Sequence, residues 1–228
     1  MIRKLLSLIP PMPWHQPKIR LAPGDRVILL HGLWRSHWAM DGLAVSLNKQ
    51  GYETLNIPYP SFRQTLDQIT DGVREAIAPS QKTTHYVTHS MGGIILRCLA
   101  HRFPEVVTGK TVMLAPPNQG SEIIDWLSDS LWGRLFVGPG GLELSTENIR
   151  QQIPAFKNDH PVAVIMGTSK RIRLFESMLG EAHDGIVTVE GGYIKGMKKL
   201  QTVPAGHTMI MHHQEAQQQI FDYLSGQD

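Results

Sequence analysis

The chain has 228 residues, 41% of them apolar and 18% charged, which suits one globular α/β domain able to bury a sizeable core without metal or disulfide staples. Basic and acidic residues nearly cancel, 22 against 20, and no dense Lys/Arg run occurs; Lys195, Lys198 and Lys199 form a short solvated cluster, so the composition argues against nucleic acid as a partner. The single cysteine, Cys98, excludes an internal disulfide and a cysteine-based metal site, and its apolar neighbours mark a buried, inert thiol.

Met1-Ile2-Arg3-Lys4 and the apolar residues after it begin like a secretory signal, but the stretch stops at Pro10-Pro11 and no small-residue cleavage site follows. No segment approaches the ~20 apolar residues of a membrane span. The chain therefore reads as a soluble, cytoplasmic protein, with room for a weak contact between its N-terminal segment and a membrane surface. Residues 1–25, proline-rich and ending in the turn signal Pro23-Gly24-Asp25, read as an extended arm leading into a domain of residues 26–228.

Arg26-Val27-Ile28-Leu29-Leu30 is a continuous apolar run closed by His31-Gly32, the pattern of a strand buried on both faces of a parallel sheet. Residues 36–49 read as a helix closed by Gly51, and residues 52–57 as a second strand ended by Pro58 and Pro60. Ser61 suits the N-cap of a helix whose apolar positions are Phe62, Leu66, Ile69, Val73 and Ile77. Strands follow over 84–88, 111–115, 162–166 and 199–204, with helices over 91–101 and 213–224. Strands alternating with helices predict a mostly parallel sheet covered on both faces. Residues 118–160 break this rhythm and are too long for a bare connection, so they should carry structure of their own.

Ser90, in Thr88-His89-Ser90-Met91-Gly92-Gly93, sits where the third strand hands over to a helix. A serine hydroxyl needs a base to become nucleophilic and must stand clear of the sheet. A tight strand-to-helix turn exposes it, requires small neighbours two residues away, and aims helix N–H groups at a developing oxyanion. Gly92 meets that need on the helix side, and Gly93 lets the helix pack closely. The bland reading of the same residues is a helix start capped by serine.

With this motif in its strand–turn–helix setting, the chain from about Arg26 to Leu224 resembles the α/β-hydrolase superfamily, particularly its small lipases and esterases. One departure is Thr88, where the family's first motif glycine stands; its branched Cβ should open the turn slightly. The resemblance implies the chain order Ser, Asp or Glu, His. His207, in Pro204-Ala205-Gly206-His207, follows the last strand as the family's closing Gly-His does and is the expected base. Asp184, in His183-Asp184-Gly185, holds the place of the acid that would orient His207, the alternative being a turn aspartate. Glu190 is its substitute and Glu181 a weaker one, while Asp159 precedes the strand and lies at the wrong end. Backbone N–H groups of Leu33 and Met91 are the expected oxyanion donors, with His31 structural. His212 and His213 are adjacent and point apart, which argues against a shared metal site.

Pro117-Asn118-Gln119-Gly120-Ser121 resembles the P-x-x-G-S at which such lipases lead into a lid. Beyond it Ile123, Ile124, Leu127, Leu131 and Leu135 recur at helical spacing, an amphipathic helix followed by a flexible Val137-Gly138-Pro139-Gly140-Gly141 break. Whether this helix covers core or caps an acyl pocket stays open on periodicity alone; a cap would favour medium or long acyl esters. The resemblance thus implies a Ser-His-Asp carboxylic-ester hydrolase acting on a small or lipid-like acyl ester, with no cofactor and no metal. Acyl transfer, amide or thioester cleavage would use the same residues, and a non-catalytic binding member of the fold is the remaining alternative.

Overall fold

The computed structural model describes residues 16–157, 159–169, 175–180 and 182–227; the signal-like N-terminal segment and Glu181 lie outside them. Its seven-stranded sheet has the order β1-β3-β2-β4-β5-β6-β7. The strands are β1 Lys18–Arg20, β2 Arg26–Leu30, β3 Glu53–Ile57, β4 Thr84–His89, β5 Thr111–Leu114, β6 Val162–Gly167 and β7 Lys199–Val203. All neighbours run parallel except β1, which pairs antiparallel with β3, Lys18 opposite Asn56. The central runs are apolar because both faces are covered: Val27 to Leu30 on β2 and Val112 to Leu114 on β5 are wholly buried.

Helices α1 Trp38–Lys49, α2 Leu66–Ala76 and α3 Met91–Arg102 follow β2, β3 and β4. From β2 to β3 the chain steps one way, and from β3 across β2 to β4 the other. Right-handed crossovers then put α1 on one face and α2 and α3 on the opposite one. Packing agrees, α2 lying against α3 while α1 meets the 3-10 turn His207–His212 that leads into the last helix. The reversal between β2 and β4 makes a switch point, and the crevice at its carboxyl end is where open α/β sheets bind ligands.

Three local readings change. Residues 18–20 of the expected arm are extended but paired, an edge strand short enough to fit between Pro17 and Pro23. Its Lys18 and Arg20 reach Asp41 of α1 at 3.1 and 2.5 Å. Burial alone would raise the Asp41 carboxyl, but the two cations outweigh it and hold it below the usual range. Second, α2 is capped by Thr65 and not Ser61. Thr65 Oγ1 accepts the Gln68 N–H at 3.3 Å and the Gln68 side chain accepts the Thr65 N–H at 3.1 Å, satisfying two donors where Ser61 would satisfy one.

Third, the segment between β5 and β6 is not one amphipathic helix. It holds α4 Glu122–Ser128, α5 Leu131–Leu142 and α6 Thr146–Gln152. Ser130 Oγ accepts the Gly133 N–H at 3.0 Å and so starts a new helix, which separates buried Ile123 and Ile124 from exposed Leu131 and Leu135. The glycine-rich stretch is no loose break either. It continues α5 with a kink at Gly138, φ 72°, where an added Cβ would collide with the Phe62 carbonyl. Buried Arg97 of α3 anchors both ends of the segment, donating to the carbonyls of Asn118 (3.0 Å), Ile153 (2.7 Å) and Pro154 (3.0 Å). Burial brings its guanidinium down to about 10. A short helix α7, Glu176–Leu179, follows β6, and α8, Gln214–Ser225, closes the fold. Among the described residues no helix is long and apolar enough to cross a membrane.

Candidate active site

The site is built where β4 stops at His89 and α3 begins at Met91. Ser90 between them has φ 52° and ψ −123°, outside the regions a serine prefers, and its N–H donates to the Leu114 carbonyl at 2.8 Å. Neighbouring strands leave no space for larger residues in the turn. A Cβ on Gly92 would lie 2.6 Å from the Leu30 carbonyl oxygen, and one on Gly93 would lie 2.8 Å from Met113 Cε. Thr88 is wholly buried, and its Oγ1 would sit 3.3 Å from a Cβ at Gly93, so a threonine fits because that glycine faces it.

His207 opens the 3-10 turn after β7. Its Nε2 lies 3.0 Å from Ser90 Oγ and its Nδ1 2.8 Å from Asp184 Oδ2. A carboxylate only accepts, which puts the imidazole proton on Nδ1 and turns the Nε2 lone pair to the serine hydroxyl. Asp184 is buried, with Oδ1 accepting the N–H groups of Ile186 (2.9 Å) and Val187 (2.8 Å). Its carbonyl accepts the His207 N–H at 3.0 Å, so backbone and side chain both fix the pair. Glu190 is exposed on the 3-10 turn Glu190–Gly192, and Asp159 is exposed ahead of β6; neither meets His207.

His89 supplies a contact that sequence reading missed. Its Nε2–H donates to the His207 carbonyl at 2.9 Å, so the His207 residue is held at N–H, C=O and ring. Complete burial keeps His89 well below the ordinary imidazole range and hence neutral. The sequence cue was its place as the last strand residue beside Ser90, but nothing there indicates what its ring reaches.

The other side of the crevice is the loop after β2. His31 stacks on Tyr59 at 3.9 Å, accepts the Tyr59 N–H at Nε2 (3.3 Å) and donates from Nδ1 to the Gly32 carbonyl (2.9 Å), while the Tyr59 hydroxyl donates to the His31 carbonyl. His31 is thus a strut for the loop. A Cβ on Gly32 would lie 2.9 Å from His89 Nδ1, so only glycine allows this close approach to Ser90. Arg35 N–H donates to the Gly32 carbonyl at 3.2 Å, closing a turn with Leu33 and Trp34 at its centre. Among the described residues the Leu33 N–H makes no backbone hydrogen bond. Met91 is the first residue of α3, and a first-turn N–H has no acceptor within its own helix.

A cavity of about 490 Å3 opens over Ser90 and His207. Its walls are largely apolar, with Leu33 and Trp34 from the β2 loop, Ile124 and Leu127 from α4, Phe136 from α5 and Ile186 beside Asp184. Such a volume suits a small organic ligand. Trp126 and Phe136 at its rim are 53% and 61% exposed, and Leu131, Trp132 and Leu135 extend the apolar surface along α5.

Residues 27–178 match the model of a family described as the Alpha/beta hydrolase family. Among solved structures, the mature form of the Bacillus licheniformis lipase BlEst2 is 18% identical with a TM-score of 0.69, covering 86% of this chain and 92% of its own. The metagenomic carboxyl esterase MGS0156 is 19% identical with a TM-score of 0.62 over 82% of this chain and 68% of its own. A monoacylglycerol lipase from Paleococcus ferrophilus is 15% identical with a TM-score of 0.63 over 93% and 99%. At these identities the likeness is one of fold. No curated protein sequence matches the chain.

Proposed function

Because this chain belongs to the Alpha/beta hydrolase family, we propose that it hydrolyses carboxylic esters with an apolar acyl group through an acyl-enzyme on Ser90. The observation that carries this reading is the hydrogen-bonded line from Ser90 Oγ through His207 to Asp184, at the floor of an apolar cavity. That solved lipases and esterases share the fold supports esters as the substrate class.

Ser90 Oγ attacks the ester carbonyl carbon while His207 Nε2 takes its proton. The carbonyl oxygen becomes an oxyanion accepting from the N–H groups of Leu33 and Met91, which stabilise charge present only in the tetrahedral state. Collapse breaks the bond to the alcohol oxygen, which leaves with the proton from His207. Water then attacks the acyl-enzyme, giving its proton to His207; the carboxylic acid departs as Ser90 regains a proton. Asp184 keeps His207 in the working tautomer and stabilises its charged form.

The apolar walls and the exposed aromatic rim suit a lipid-like ester presented at a surface, with the acyl chain under α4 and α5. Each buried methylene contributes about 0.8 kcal/mol, about fourfold in kcat/KM when the gain is realised in the transition state. A p-nitrophenyl ester series from acetate to octanoate should therefore rise in kcat/KM, and Ser90→Ala should abolish turnover throughout. Fastest turnover on acetate with a steady fall after it would contradict the acyl-pocket reading; full activity in Ser90→Ala would contradict the nucleophile.

A further inference from the structure

The two residues proposed to bind the oxyanion lean on one short stretch of the inserted segment. The Leu33 side chain meets α5 at Gly141, where an added Cβ would lie 3.0 Å from Leu33 Cδ2. The Met91 side chain meets it at Gly140, where a Cβ would lie 3.1 Å from Met91 Cε. Trp34 makes a third contact: its indole Nε1–H donates to the Phe136 carbonyl at 3.0 Å, with the two rings 4.5 Å apart.

Trp34 has φ 55° in the turn that carries Leu33. A bulky residue in the left-handed region is unfavourable, and glycine is the usual occupant of this turn position. Such a conformation persists where outside contacts hold it. Glycine would spare the backbone but could not reach Phe136. The far side of the contact is itself fixed. Val137, Gly138, Gly140 and Gly141 are buried, and Glu143 just beyond accepts the Leu66 N–H at 2.7 Å. At the other end of α5, Leu131, Trp132 and Leu135 stand in solvent.

We propose that residues 136–141 are a fixed buttress of the oxyanion hole, and that Trp34 is the positioning residue that transmits their position to the Leu33 N–H. This rests on the ester-hydrolase reading above. Any opening that admits substrate is then confined to α4 and the first turns of α5, while the stretch from Phe136 onward stays seated on the catalytic loops.

The test compares Trp34→Phe, which keeps an aromatic ring but loses the indole donor, with Gly141→Ala, whose Cβ would lie 2.6 Å from Val137 Cγ1 and 3.0 Å from Leu33 Cδ2 and so presses on both. Both should lower kcat about 10-fold with KM within about 2-fold of wild type, a fraction of the loss from deleting an oxyanion donor outright. Inhibition by an alkyl boronic acid, whose tetrahedral adduct on Ser90 uses the same donors, should weaken by a similar factor. A raised KM with kcat unchanged would make Trp34 a pocket wall only and overturn the proposal, as would unchanged boronic-acid inhibition. Should either variant fail to fold, hydrogen exchange on the wild-type protein decides. Amides of 137–142 should be protected together with that of Arg35, whose N–H closes the turn on Gly32, and exchange more slowly than those of 123–132; fast exchange across 137–142 overturns the buttress. Ser90→Ala run in parallel separates the levels: if it stays active the hydrolase reading fails, and if it is dead while Trp34→Phe and Gly141→Ala behave as wild type only this inference fails.

Discussion

Gly92→Ala perturbs the turn that holds Ser90 by the smallest available step. The new Cβ would stand 2.6 Å from the Leu30 carbonyl oxygen and 2.7 Å from that of His31, about 0.8 Å inside ordinary contact, and both neighbours are backbone with little freedom to yield. Overpacking of this kind costs about 1–3 kcal/mol, while alanine's better helix propensity returns less than about 1 kcal/mol at a helix start, so the clash wins. A net loss of about 1–2 kcal/mol should lower Tm by a few degrees in a chain of this size. The larger effect falls on rate. Relief of the clash moves the start of α3, and with it Ser90 and the Met91 N–H, by most of an ångström; a 1 Å misplacement costs about 100-fold. Steady-state kinetics on a soluble ester, alongside scanning calorimetry, should give kcat down roughly 30- to 100-fold for this size of shift. Gly72→Ala on α2 is the matched control, since nothing lies within 4 Å of its Cβ; it should gain up to about 1 kcal/mol and keep full kcat. Gly92→Ala with kcat within twofold of wild type would refute the argument that this close approach sets the turn.

Thr88 Oγ1 is buried without a hydrogen-bond partner among the described residues, so Thr88→Val should raise the unfolding free energy by about 1 kcal/mol and leave kcat unchanged; a urea titration checks the first and ester kinetics the second. Arg97→Met should strand the carbonyls of Asn118, Ile153 and Pro154 and cost about 2–3 kcal/mol, with proteolysis appearing first between residues 118 and 154. Burial holds His89 and His85 below the ordinary imidazole range in the folded protein. The unfolded chain then binds protons first as pH falls below about 6.5, so stability is full above that pH and declines beneath it, by up to about 1.4 kcal/mol per pH unit for each histidine. Urea midpoints from pH 8 to pH 5 should fall only in the lower half; a flat profile would contradict the buried neutral state.

The parallel core was legible because β2, β5 and β6 carry continuous apolar runs, a pattern that both-face burial imposes, whereas β4 is buried along its length yet holds Thr84, His85, Thr88 and His89. The loops that meet at the site were legible as well, since Ser90, Asp184 and His207 each follow a strand and differ in the type of turn they sit in. Some of what local reading missed depends on partners far along the chain, and some on which of several nearby residues caps a helix. Lys18–Arg20 has no strand pattern of its own and is drawn into the sheet by β3 and Asp41. The split between α4 and α5 needs Ser130 to cap a second helix, a choice that apolar spacing alone does not reveal. The Thr65–Gln68 box has the three-residue spacing of a capping box and competes with Ser61, another N-cap residue four positions earlier. His89 on the His207 carbonyl and Trp34 on the Phe136 carbonyl join residues more than a hundred positions apart through backbone acceptors, which carry no side-chain identity to read.

Reaction with a fluorophosphonate, followed by intact mass and peptide mapping, tests the central claim most directly, because the reagent phosphonylates a serine only when a base and an oxyanion hole activate it. One adduct per chain is expected, on Ser90, lost in Ser90→Ala and slowed at least 100-fold in His207→Ala as for removal of a general base. An adduct mapped to another residue, or labelling of Ser90→Ala at the wild-type rate, would contradict it.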